Sequence, residues 1–121
     1  MIAQTGSLLV VEDDDDVREF LAGDLRARGF RTETSGSCGD AIGLLREQSF
    51  DVVLCDVQLP DGDGLELCEQ IAEASPTTRC LILTSHARPG YLKRALAQGV
   101  LGFLPKTTSA EQLARAVRSV A

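Results

Sequence analysis

The sequence contains no apolar run near the roughly 20 residues needed to cross a bilayer. Its opening stretch, Met1 to Leu9, lacks the basic cluster and apolar core of a secretory leader. A membrane location is therefore not expected, and the chain reads as cytoplasmic. Positive charge is also in short supply, with 12 Lys and Arg against 18 Asp and Glu. That balance argues against nucleic acid or an anionic lipid surface as a direct partner. Cysteine pairs at metal-binding spacing are missing: Cys38, Cys55, Cys68 and Cys80 stand more than ten residues apart among apolar or small neighbours. They read as buried free thiols, which pack as small hydrophobes. Internal repeats and low-complexity linkers are absent, so 1–121 is expected to form a single domain, with 1–6 as a flexible tail.

What is present is a regular alternation of two patterns. Ser7 to Val11, Val52 to Cys55, Cys80 to Leu83 and Leu101 to Leu104 are short, nearly continuous apolar runs, as in strands buried on both faces. Arg31 to Ser35 alternates instead, as a strand nearer a sheet edge does. Between them apolar residues recur at helical spacing: Val17, Phe20, Leu21 and Leu25; Ala41, Leu44 and Leu45; Leu65, Leu67, Cys68 and Ile71; Leu92 and Leu96; Leu113, Ala116, Val117 and Val120. Gly29 and Gly99 follow the first and fourth of these, where a left-handed C-cap belongs. Ser109 with Gln112 resembles a capping box opening the last. Five strands alternating with five helices predict an α/β fold, a three-layer doubly wound five-stranded parallel sheet.

Such sheets place their sites at the carboxyl ends of the strands. Strand one runs into Glu12-Asp13-Asp14-Asp15-Asp16, and strand three into Asp56. Two carboxylates about 4 Å apart repel by roughly 4 kcal/mol at an effective dielectric near 20, so a positive charge is expected among them. Asp14, Asp15 and Asp16 are accounted for by helix capping and the macrodipole. Glu12, Asp13 and Asp56 are not. Hard oxygen donors with room for water suit Mg2+, with Mn2+ as a substitute. Such a metal would screen an attacking carboxylate and hold a phosphoryl group, and Asp is able to act as the covalent nucleophile. Strand four ends in Thr84-Ser85 and strand five in Pro105-Lys106, supplying hydroxyls and a cation for the same edge.

Together these residues resemble the response-regulator receiver domain of two-component signalling over Leu8 to Val120. The match consists of Glu12-Asp13, of Asp56 within Asp51-Val-Val-Leu-Cys-Asp56-Val-Gln-Leu-Pro60-Asp-Gly-Asp-Gly64, of Thr84, and of Lys106. The resemblance implies a CheY-like, flavodoxin-like sheet of strand order 2-1-3-4-5. It implies Asp56 as phosphoacceptor, Mg2+ held by Glu12, Asp13, Asp56 and the backbone carbonyl of Gln58, and Lys106 paired to the phosphoryl group. Thr84 and Phe103 would be the switch pair, altering the surface of the fourth helix, fifth strand and fifth helix. Gln58, Ser85 and His86 would tune the kinetics. Partners implied are a cognate histidine kinase or phosphotransfer protein, met through the first helix, and a second copy in a phosphorylation-dependent homodimer. The implied role is a signalling switch rather than an enzyme, with self-catalysed phosphoryl transfer and autodephosphorylation, within a transcriptional response regulator. The first half is similar to NtrC-like receivers and the second to NarL/LuxR-like ones.

Some features depart from that pattern. Pro105 precedes Lys106 and Thr107 follows it, where the family commonly has proline after the lysine. Ser85 replaces a smaller residue. Two rival readings keep the same aspartate chemistry or the same fold. A haloacid-dehalogenase-type phosphatase needs a second acid two residues past the nucleophile, where Gln58 stands. A pseudo-receiver that binds without phosphorylation usually lacks one of the acids or the lysine, and all are present. A flavodoxin-like nucleotide binder is disfavoured by the acidic run after strand one, which would repel a phosphate. A calcium loop at Asp61 to Gly64 fails on ligand spacing.

Overall fold

The computed structural model describes residues 6–84, 90, 93, 94, 97, 100 and 102–120. Its elements are β1 (Ser7–Val11), α1 (Asp15–Ala27), β2 (Arg31–Ser35), α2 (Cys38–Glu47), β3 (Val52–Asp56), β4 (Gln58–Leu59), β5 (Gly62–Asp63), α3 (Gly64–Ala74), β6 (Arg79–Thr84), β7 (Gly102–Pro105) and α4 (Ala110–Val120). The helical segment expected around Leu92 and Leu96, and the cap at Gly99, fall outside the described residues, although Gly90, Lys93, Arg94 and Ala97 are helical. The short antiparallel pair β4 and β5 turns through Pro60-Asp61, a stretch that sequence pattern alone reads as loop.

The main sheet runs β2-β1-β3-β6-β7, every pair parallel. Setting the small hairpin aside, that is the expected 2-1-3-4-5 order. Period-two alternation divides the core between the two faces of this sheet. Leu9, Val11, Val53, Cys55 and Ile82 pack with α2 and α3 on one face. Leu8, Val10, Leu54, Leu81 and Leu83 pack with Leu25 of α1 and with Leu113 and Val117 of α4 on the other. Because β1 and β3 are covered on both faces, their sequences show unbroken apolar runs.

Local signals place the helix ends. Asp14 caps α1, its Oδ1 accepting from the Asp16 and Val17 amides at 2.9 and 3.0 Å, while Asp15 and Asp16 lie in the first turn. Gly29 follows α1 at φ +99°, the left-handed conformation that glycine adopts without steric cost. Ser109 Oγ accepts from the Gln112 amide at 3.2 Å, the first half of the expected box. All four cysteines are free, and Cys55, Cys68 and Cys80 are buried. Burial and the nearby Asp61 push the Cys38 thiol up to about 11, so it carries no appreciable thiolate at neutral pH.

The hairpin is pinned to α2 by one carboxylate. Asp61 Oδ1 accepts from the Cys38 amide at 2.8 Å and Oδ2 from the Gly39 amide at 3.0 Å. The Gly39 bond and then the Cys38 bond hold the exposed Asp61 carboxyl below its ordinary value of 3.8. A depressed carboxylate contributes stability above its unfolded-state pKa and loses it as pH falls through the folded value. Asp61→Asn should therefore lower the thermal midpoint at pH 7 and flatten the loss of stability below about pH 4. Melting curves across that range check this, and an unchanged acid limb would exclude Asp61 as its source.

Candidate functional site

Four strand ends converge on one group of side chains. The β1 ladder continues one residue past Val11, where the Glu12 amide donates to Ser35 O at 2.9 Å. Val11 lies opposite Cys55, which brings Glu12 beside Asp56, the last residue of β3. On the far side Asp56 faces Leu83, and the Lys106 amide bonds Thr84 O at 2.9 Å, so Lys106 follows β7 onto the same edge. Period two then directs Glu12 with Val10, Asp56 with Leu54, and Lys106 with Leu104 toward the α1 and α4 face.

The acids are deeply placed. Glu12 is 2% and Asp56 7% exposed, while Asp13 is open to solvent. Lys106 Nζ donates to Asp56 Oδ2 at 2.8 Å and lies 2.8 Å from Glu12 Oε1. Burial is the main cause that raises the Glu12 carboxyl above the usual range; Lys106 opposes it, and Asp13 and Asp56 reinforce it. Desolvation would lower the Lys106 ammonium, but Asp56 and Glu12 outweigh it and hold the lysine above its ordinary range. The lysine is thus charged at every physiological pH.

Both Glu12 oxygens are engaged: Oε2 accepts from the Asp14 amide at 3.3 Å, and the buried Oε1 faces the Lys106 ammonium at 2.8 Å. Oxygens of Glu12, Asp13 and Asp56 all lie within 4.8 Å of one another. Two buried carboxylates and a third that is open to solvent, brought this close, are an oxygen set that fits a hard divalent cation retaining water ligands. Thr84 is buried at the end of β6, and Phe103 of β7 is half-buried against the α2 and α3 side of the core. Gln58 sits exposed in β4, two residues past Asp56. Ser85 and His86 lie outside the described residues.

Two contributors were not recognised in sequence. A Cβ on Gly64 would stand 2.0 Å from the Asp56 carbonyl oxygen, and the Gly64 amide donates to Val57 O at 2.7 Å. Helix α3 therefore begins against the backbone of Asp56, and only glycine permits it. The sequence signal was the run Asp61-Gly62-Asp63-Gly64, which reads as turn chemistry without showing what the turn touches. The second is Arg18, whose Nη1 donates to Glu12 O at 2.9 Å.

Beside Lys106, a groove of about 320 Å³ opens between α1 and α4, lined by Val17, Phe20, Leu21 and Leu113. Phe20 is 70% exposed at its rim, unusual for an aromatic side chain.

The model of the response regulator receiver domain matches residues 8–118. The chain belongs to the response-regulator receiver family. Over 120 residues it is 36% identical to the transcriptional regulatory protein DesR of Bacillus subtilis, covering 99% of this chain and 52% of DesR. The chain thus spans about half the length of that relative. A DNA-binding response regulator of the LuxR family from Staphylococcus aureus superposes with a TM-score of 0.89 at 27% identity, covering 95% of this chain and 98% of that one. The beryllofluoride-activated NtrC4 receiver domain dimer gives 0.88 at 28% identity, with 94% of each chain covered. Relatives of both the LuxR and NtrC kinds therefore share the receiver fold found here. Receivers are signalling domains of two-component systems, not ordinarily classed as enzymes. They bind Mg2+ at an acidic pocket, take their signal from histidine kinases and are able to dimerise when activated. Among the described residues of this receiver no helix is long and apolar enough to cross a membrane.

Gly64→Ala should cost about 1–3 kcal/mol, the range for forcing atoms into packed space. Because the clash is with the Asp56 peptide, Mg2+ binding should weaken in the same variant. Denaturant unfolding and metal titration measure both, and a variant of wild-type stability would contradict the close approach.

Proposed function

We propose that this receiver is a phosphorylation switch in which Asp56 accepts a phosphoryl group from a histidine kinase or phosphotransfer protein. The observation that carries this is the ammonium of Lys106 held between two buried carboxylates, with the carboxylate of Asp13 within 4.8 Å of both. A structural ion pair would need one acid for one lysine. Three acids around one cation, among the described residues, suit a site that receives a further positive charge and an anion with it.

Glu12, Asp13, Asp56 and the carbonyl of Gln58 would hold Mg2+, with Mn2+ able to replace it. The cation supplies charge neutralisation for the incoming phosphoryl oxygens. Asp56 contributes the attacking carboxylate oxygen. A P–O bond forms, the donor's P–N bond breaks, and the imidazole leaves with the electron pair of that bond. Lys106 keeps its contact with Glu12 and gives its remaining N–H donors to the phosphoryl group. Thr84 hydrogen-bonds the phosphoryl group and Phe103 moves deeper, so the surface around β7 and α4 changes. In autodephosphorylation water attacks the phosphorus, the P–O bond to Asp56 breaks, and inorganic phosphate leaves with the carboxylate restored, a step tuned by Gln58, Ser85 and His86. Gln58 supplies no general acid, which favours a slow switch over a haloacid-dehalogenase-type phosphatase.

The donor protein docks on the apolar rim formed by Val17, Phe20 and Leu21, beside the groove that reaches Lys106. The chain works in the cytoplasm as the receiver of a transcriptional regulator, without touching nucleic acid itself. Phosphorylation drives association with a second copy.

Incubation with Mg2+ and acetyl phosphate should add one phosphoryl group by intact mass, with Asp56→Asn unmodified. A phosphoryl group mapped to another residue overturns the assignment. Sizing the two forms tests dimerisation, which is refuted if both elute as monomers at equal concentration.

Phe20→Ser should slow phosphorylation by a histidine phosphotransfer donor at least about tenfold, the loss of a buried aromatic anchor. Its rate with acetyl phosphate should match wild type. Equal slowing with both donors would place Phe20 in the chemistry rather than in docking.

A further inference from the structure

We propose that Arg18 is the positioning residue of the metal site, fixing the backbone from which Glu12 and Asp13 project; this rests on the Mg2+ reading above. Beyond Val11 the chain leaves the sheet, so the peptide groups around Glu12 need other anchors. The Glu12 amide keeps one, Ser35 O at 2.9 Å. Its carbonyl is taken by Arg18 Nη1 at 2.9 Å, from α1. With both peptide planes flanking Glu12 held, the Cα–Cβ direction of Glu12 is set, and so is the entry of the chain into Asp13. Those are the two acids that must reach Asp56 from the neighbouring strand.

The guanidinium is itself confined. The Arg18 side chain is 18% exposed, it pairs with Asp15 through Nη2, and Nη1 would lie 3.2 Å from a Cβ placed on Gly36. Arg18 therefore bridges the loop after β1, the start of α1 and the loop after β2. Asp15 is 84% exposed, so that ion pair is screened by water and adds little. The carbonyl bond is the part that bears on the site, as second-layer groups commonly orient metal-binding carboxylates.

The test uses the whole chain and reads Mg2+ affinity by calorimetric titration together with the thermal midpoint measured without metal. Arg18→Met keeps the aliphatic stem and removes the donors. It should raise the Mg2+ dissociation constant about tenfold or more, with a much smaller change in the metal-free midpoint. Arg18→Lys retains one donor and should recover most of the affinity. Asp15→Asn should change affinity less than twofold. Gly36→Ala, which crowds the guanidinium while leaving it charged, should weaken binding in the same sense, and serves if Arg18→Met does not fold. Wild-type chain that fails to bind Mg2+ sinks the metal reading itself. Wild-type binding with Arg18→Met, or Gly36→Ala in its place, bound equally well overturns only the positioning role. So does Asp15→Asn matching Arg18→Met, which would mean that the Asp15 ion pair rather than the carbonyl bond supports the site.

Discussion

A single ammonium shared by two buried carboxylates is the contact around which this edge of the molecule is arranged. Glu12 and Asp56 lie on adjacent strands with little solvent to separate their charges. Unpaired acids in such a place cost several kcal/mol or take up a proton. Lys106, 2.8 Å from each, offsets part of that negative charge. Among the described residues the neutralisation is incomplete, since one cation faces three acids. Such a deficit favours a further positive ion at this edge.

The two faces of the sheet divide the labour. Residues in phase with Leu54 and Val10 point to the α1 and α4 layer and bring the acids and the lysine together. Residues one step out of phase, Thr84 after Ile82 and Phe103 opposite it, belong to the other layer. The acids with their lysine, and the Thr84 and Phe103 pair, thus sit on opposite sides of strands one residue thick. A change in hydrogen bonding at a strand tip is felt on both sides because the strand between them is rigid and fully packed. The surface that receives the donor need not be the surface that reports.

Much of this was legible in the chain. Unbroken apolar runs such as Val52 to Cys55 revealed doubly covered strands, and an acid placed directly after such a run has no packing reason to be there. Asp56 and Glu12 were found on that reasoning, and Lys106 by the charge they require. Gly29 and Ser109 were identifiable because caps are local, involving residues a few positions apart. Gly64 and Arg18 were not, for a different reason. A glycine in a turn-rich stretch is explained by the turn, and nothing in its neighbours tells that Asp56 O lies 2.0 Å from its missing Cβ. An arginine on a half-exposed helical face is explained by solvent. Its bond to the Glu12 carbonyl depends on how α1 folds back over the strand end, which no short-range pattern encodes. The β4 and β5 hairpin was lost similarly, being two residues per strand and too short for periodicity to register.

The pairing of Lys106 with Asp56 joins residues separated by 50 positions, with Glu12 further still toward the amino end. During vectorial synthesis Glu12 and Asp56 emerge before β7 and its lysine. Until then the nascent sheet carries clustered negative charge at its tip and a bare β6 edge awaiting a neighbour. Long-range parallel pairing of this kind is slow and leaves intermediates exposed. The closing strand consequently completes the charge balance as well as the sheet: until position 106 joins this edge, its acids lack the ammonium that faces them.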